Sequence, residues 1–390
     1  MSTHNAQAFG HWIRNDFKEI NTILENLYFE QEKRENVSGI GEKFKQQLLK
    51  KGNEFISVLL AEGNTDEGYD NGYNLLGNVG FFMAACRRHG ITDPERETES
   101  SLKDASALAM HLGATLGVVP RFASAHQETH NYAVDGLFKT FTSLSDESLF
   151  LEYNSRGVFA LIRASEALLH CLPLGISHPV TSDLLENAKR ALQDMVSINA
   201  HLFNKLDTDR FFYSVRPYFK PYMVGPTNYR GANAGDFAGI NVIDLLLGLC
   251  QAEDPYYSRI LVEKFLFMHP ADQLILRDCM RRNSLLNLFL ETREQHHTKP
   301  WFQRNAKLFL EVCEMHAKIA SQHHDMLVNK FIEKPSAQAG MDNNSDLTAS
   351  GPPLPVLLKS LKHLCDLRNA ANVDGIKSRF HDINLIKDCV

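Results

Sequence analysis

The stretch Ser321-Gln-His-His-Asp-Met-Leu-Val-Asn-Lys330 places two adjacent imidazoles inside a run with helical periodicity. Neighbours on a helix point about 100° apart, so a single metal takes one of the two. At offsets of three, four and seven, His324 groups with Ala317, Ala320, Ser321, Leu327, Val328 and Phe331. That face is small on its N-terminal side and apolar on the other, so a flat macrocycle can lie close to its backbone. His323 groups with His316, Ile319, Ala320, Met326, Leu327 and Lys330, a more mixed face. Periodicity therefore makes His324 the inward histidine. A lone histidine on an apolar face is more often a hydrogen-bonded core residue than a ligand. No HExxH or paired-carboxylate pattern surrounds it, so among metal sites one axial bond to haem iron fits better than zinc or di-iron.

A second stretch, FFYSVRPYFKPYMVGPTNYRGANAGDFAGINVIDLLLG, covers residues 211–248. Arg216 stands in an aromatic wall, five residues after Phe211. A guanidinium so held suits a two-pronged grip on a carboxylate, against the plainer reading of a buried salt bridge. Gly231-Ala232-Asn233-Ala234-Gly235 carries no bulky side chain, which lets backbone approach a planar ligand and offer N–H donors.

The elements that must position these residues are helices. Helical periodicity runs through Phe44–Leu60, Val158–Leu172, Leu184–Leu202, Ser258–Phe267, Leu274–Glu291 and Trp301–Glu333, and strand-like alternation is scarce. The fold class expected is mostly α, with a smaller N-terminal helical domain over 1–115 and a larger one over 116–390. Breaks are expected at Asp93-Pro94, Pro173, Pro217–Gly235, Pro270 and Lys299-Pro300. Residues 335–353 are polar and rich in small side chains, the composition of a mobile loop able to act as a lid.

Composition narrows the function. With 390 residues, 44% of them hydrophobic, a large core is expected, and a net charge of −6 gives no basic field for nucleic acid. The first twenty residues lack an apolar h-region, and no uninterrupted apolar run approaches a membrane span. Seven scattered cysteines without a CxxC fit reduced thiols. A soluble cytoplasmic protein, with no membrane partner, is expected.

Order and spacing of these pieces carry a resemblance. The aromatic-flanked Arg216, then Gly-Ala-Asn-Ala-Gly-Asp, then "IDLLLGL", "FMHPADQLIL" and His324 with "NKFIEKPSAQ" resemble the haem-dependent indoleamine/tryptophan 2,3-dioxygenase superfamily. "LGVVPRFASAHQETHNY" (116–132) occupies the place of its distal Leu-Gly-x-x-Pro segment. "GFFMAACRRHG" (80–90) and "RPYFKPYMVGPTNYRG" (216–231) look like the monodechloroaminopyrrolnitrin synthase branch, which serves secondary metabolism.

The resemblance implies haem b on His324, with O₂ as co-substrate and 116–390 as the haem-binding domain. It implies Arg216 on a substrate carboxylate, Phe211 against an indole, and Ser124 and Ala167 as pocket positions. Ala232, Asn233, Ala234 and Gly235 would lie over the haem edge, with Leu327, Val328 and Phe331 beside it. Ser124 and Ala167 replace an aromatic and a polar group in the dioxygenases, so ring cleavage does not follow; hydroxylation and rearrangement are equally open. His126, His130 and Glu166 are proton-transfer candidates, each more often a structural hydrogen-bonder. His269, His296, His297 and His316 are expected to be structural. The alternatives are a non-catalytic haem or ligand carrier and a helical scaffold without cofactor. Spare apolar faces allow a homodimer.

Overall fold

The structure is a computed structural model, described over residues 4–63, 68–91, 100, 102–232, 236–340 and 353–390. It is mostly α, as periodicity predicts: 72% is helical, and among the described residues the only sheet is a two-stranded hairpin. The chain forms two compact units, one of residues 1–152, 206–236 and 335–354, the other of 153–205, 237–334 and 355–390. It thus passes between them five times. Residues 116–152, expected within the larger domain, cluster with the N-terminal helices.

In the first unit, α1 (His4–Arg14), α2 (Asp16–Phe29), α3 (Glu42–Glu62), α4 (Tyr69–Arg88) and α5 (Lys103–Leu116) close on an aromatic core that includes Phe9, Trp12, Phe17, Phe81, Phe82 and Phe141. Gly80 lets the following loop lie against α4, because a methyl group there would stand 2.6 Å from the Phe122 backbone nitrogen. Arg88 spans the core to Glu25 with two hydrogen bonds of 2.8 Å. Beyond Pro217 the chain turns back in the hairpin β1 (Tyr222–Val224) and β2 (Thr227–Tyr229), antiparallel with Tyr222 opposite Tyr229.

α6 (Ser145–Leu174) begins in the first unit and continues in the second, where α7 (Pro179–Lys205) packs along the Pro300–Gln322 helix. Lys189 and Glu311 pair across that contact at 3.1 Å. Two expected breaks are helix starts: Pro270 and Pro300 each take the first turn, where proline's missing N–H costs nothing, as does Pro255. Pro173 sits in the last turn of α6, and Pro94 lies outside the described residues. The Leu274–Glu291 periodicity is two helices, Pro270–Cys279 and Leu285–His296, because the Ser284 hydroxyl accepts the Asn287 N–H at 3.2 Å and caps the second.

By length and composition α6 passes as a candidate membrane span, with half of its apolar window buried in the fold. A core helix passes the same test. All seven cysteines are buried thiols without disulfide partners among the described residues.

Candidate functional site

Arg216 is positioned by a run of unusual turns. Asp207 accepts the Arg210 N–H at 2.7 Å and starts a single helical turn; Phe211–Val215 then widens into a π-helix and Arg216–Phe219 tightens to 3₁₀. π-turns point side chains where α geometry does not, and they occur often at functional sites. Phe211 is buried, with its ring 5.0 Å from that of Phe150.

The Arg216 side chain is only 7% exposed. Its guanidinium lies 5.3 Å above the Phe212 ring and has no carboxylate or carbonyl partner among the described residues. Burial alone pushes it down to about 10. The salt-bridge reading therefore fails here, and the contrast with Arg88, paired to Glu25, is direct.

Ser124 is buried at the start of a 3₁₀ turn and donates to Asp236 Oδ2 at 3.4 Å. Asp236, the last residue of the Gly-Ala-Asn-Ala-Gly-Asp run, also faces Arg230 at 3.4 Å. Glu128, one turn beyond Ser124, escaped the sequence reading because nothing local marks it. It is half-buried, and burial, with Asp236 adding, pushes its carboxyl up to about 8. Ala232 is fully buried at the end of the hairpin, which Arg121 grips through the carbonyls of Tyr229 and Arg230. Asn233, Ala234 and Gly235 lie outside the described residues.

His126 is structural. Its Nδ1 accepts the Ala123 N–H at 3.0 Å, so Nε2 carries the proton toward Tyr73 O at 3.1 Å, and its ring stacks on Tyr73. Burial, with Lys139 and His130, pushes its pKa well down. His130 bonds Thr129 Oγ1 at 2.8 Å, while Glu166 is exposed on α6.

In the second unit, the helix expected over Trp301–Glu333 is α-helical only to Gln322; His323–Glu333 is a π-helix. Its wider turn changes which residues stack, so the face drawn around His324 from a 3.6-residue period holds only on the N-terminal side. Val328 and Phe331 are buried, Leu327 is half-buried, and Phe331 packs 6.1 Å from the Phe203 ring. Ala167 is buried in the core of this unit.

His324 Nδ1 lies 2.8 Å from Asp325 Oδ1, and Nε2 has no hydrogen-bond partner among the described residues. An imidazole anchored to a carboxylate through Nδ1, with Nε2 open, is the arrangement that metal-bound histidines adopt. His323 differs. Its surface is exposed, yet burial, followed by Arg368, Lys264 and His324, pushes it down to about 4.

Behind this segment, Asp244 accepts from His316 Nε2 at 2.6 Å, from Arg368 at 2.8 and 2.7 Å, and from Tyr257 OH at 2.7 Å. Burial alone would raise this carboxyl, but Arg368 and then His316 hold it well below the usual range. His316 is thus structural, and His269 is a helix cap bonded to the Ala271 N–H at 3.3 Å.

Among the described residues, no three His, Cys, Asp or Glu side chains gather to hold a metal by themselves. A metal held by one histidine and a macrocycle needs no such group, and His324 fits that role. Over residues 3–390 the sequence matches the family model described as monodechloroaminopyrrolnitrin synthase PrnB, and the chain belongs to that family, which implies a haem-dependent enzyme acting on a tryptophan-like substrate.

Proposed function

We propose that this protein is a haem b-dependent oxygenase that uses O₂ on an indole or related aromatic amino acid. The observation that carries the reading is Arg216. A buried guanidinium with no counter-ion costs several kcal/mol, roughly, and is kept where an anionic ligand completes it. The substrate carboxylate is that anion, gripped by two parallel N–H donors. Phe211, five residues earlier, packs on the aromatic ring, and Ser124, buried in the same unit, shapes the pocket.

His324 would hold the iron through Nε2, with Asp325, bonded to Nδ1, fixing the tautomer and raising the basicity of the ring. Val328, Phe331 and Leu327 support that segment. Haem bound there supplies oxygen activation toward an electron-rich ring. Glu128, kept protonated by its surroundings, is able to donate a proton at neutral pH. Of the segment 335–353, expected to be a mobile lid, Pro335 and Ser336 are buried in the helix Lys334–Gln338, and 341–352 lie outside the described residues. The buried thiols support a cytoplasmic setting.

The test is the optical spectrum of the reconstituted ferrous protein under O₂, with and without L-tryptophan. A substrate-dependent change in the oxygenated spectrum is expected. Haem binding with no response across a panel of tryptophan derivatives would instead make the protein a carrier.

A further inference from the structure

Five polar side chains enter the aromatic core of the first unit from three directions. Asn74 and Asn78 sit one turn apart on α4, with Phe81 on the same face. Lys139, wholly buried, reaches this stripe from the loop after α5: its Nζ donates to Asn74 Oδ1 at 2.8 Å and stands 5.9 Å from the Phe81 ring centroid. The ammonium therefore lies along the face of α4 that carries Asn78 between its two contacts.

Arg14 arrives from α1. A methyl group on Gly10 would be 3.3 Å from both Arg14 Nη1 and Asn78 Nδ2, so those nitrogens are near neighbours. Gln127 follows on the same loop, its carbonyl accepting from Asn131, whose side chain also brackets the Lys139 backbone.

Two features of this cluster are unmet. Asn78 is 0% exposed and Gln127 2%, yet among the described residues neither carboxamide has a partner for its nitrogen or its oxygen. Buried amides are nearly always satisfied, so something else occupies their hydrogen-bonding sites. The charge is also unbalanced. Among the described residues Arg14 bonds carbonyls alone, those of Gly10, Tyr132 and Leu137, at 2.9–3.1 Å. The Lys139 ammonium has a neutral amide as its partner there. Burial, then Arg14, pushes Lys139 down to about 7, with no carboxylate among the causes. Elsewhere in this unit the buried cation Arg88 has its carboxylate.

We propose that this cluster is a binding site for a small inorganic anion, chloride, coordinated by Lys139 Nζ and Asn78 Nδ2 beside the Arg14 guanidinium. The anion supplies the charge the fold omits and accepts the idle N–H donors, with water completing the carboxamide oxygens. The site is independent of the haem reading, since it uses none of the residues assigned there.

Crystals of the haem-loaded protein grown in sodium bromide test it. An anomalous peak within hydrogen-bonding reach of Lys139 Nζ is expected, and water alone at that place overturns the proposal. In solution, chloride should raise the melting temperature by about 2 °C over gluconate at equal ionic strength. Lys139→Met should abolish the difference, and Asn78→Ser serves if that variant fails to fold. Equal melting of the native protein in both salts likewise refutes the site.

Discussion

Replacing Arg216 with methionine separates a ligand-binding guanidinium from a structural one. The side chain is nearly enclosed, and its fall to about 10 comes from burial alone. That fall corresponds to roughly 3 kcal/mol of uncompensated desolvation in the ligand-free protein. Methionine fills similar volume without the charge, so Arg216→Met should melt at the native temperature or a few degrees higher.

Substrate binding should move the other way. Two charge-assisted hydrogen bonds, at about 1.5–3 kcal/mol each, make the carboxylate grip worth about 3–6 kcal/mol, or on the order of 10²- to 10⁴-fold in affinity. Optical titration of the haem-loaded protein with L-tryptophan reads this directly. Tryptamine, identical but for the missing carboxylate, is the control and should bind both proteins alike. Arg216→Lys, which keeps charge but loses the fork, should fall between. Equal losses for tryptophan and tryptamine, or clear destabilisation of Arg216→Met, would refute the reasoning.

His324→Ala should lose the Soret band on reconstitution with hemin while His323→Ala keeps it; the reverse pattern moves the ligand by one residue. The Asp244 cluster predicts a pH signature. Its folded pKa lies below the unfolded value, so its stabilisation is complete above about pH 5 and fades as pH falls through the folded value. Asp244→Asn should cost roughly 3–5 kcal/mol at pH 7, with the gap to native narrowing in acid; a gap constant with pH contradicts the ion pair. Gly80→Ala should destabilise by about 1–3 kcal/mol, although alanine is the better helix former, since its methyl meets the Phe122 backbone. A higher melting temperature would show that the loop yields.

The helical class was legible because a 3.6-residue apolar period survives in segments such as α7, whose inner face is buried and whose outer face is polar. Helix starts at Pro270 and Pro300 were marked as breaks, since proline ends one element and opens another with the same chemistry. The π-helices at 211–215 and 323–333 left no trace in a pattern read at one fixed period, so neighbours of the two histidines were drawn with the wrong pitch. Arg216 was visible as a candidate, but its lack of a partner is a fact about what surrounds it in space. Glu128 was missed for the same reason: burial, and then Asp236 more than a hundred residues later, changes its character. The division after residue 115 assumed contiguous domains, which the connectivity here does not follow.

That connectivity bears on how such a protein is made and how it can be altered. Since neither compact unit is one continuous stretch of chain, no single cut in the gene releases either as a whole. The later-numbered unit cannot close until helices near residues 360–386 have left the ribosome, though its first helix was synthesised some two hundred residues earlier. Its lineage must therefore vary by substitution and loop exchange, because recombination that swaps one half for another would leave two unfinished cores.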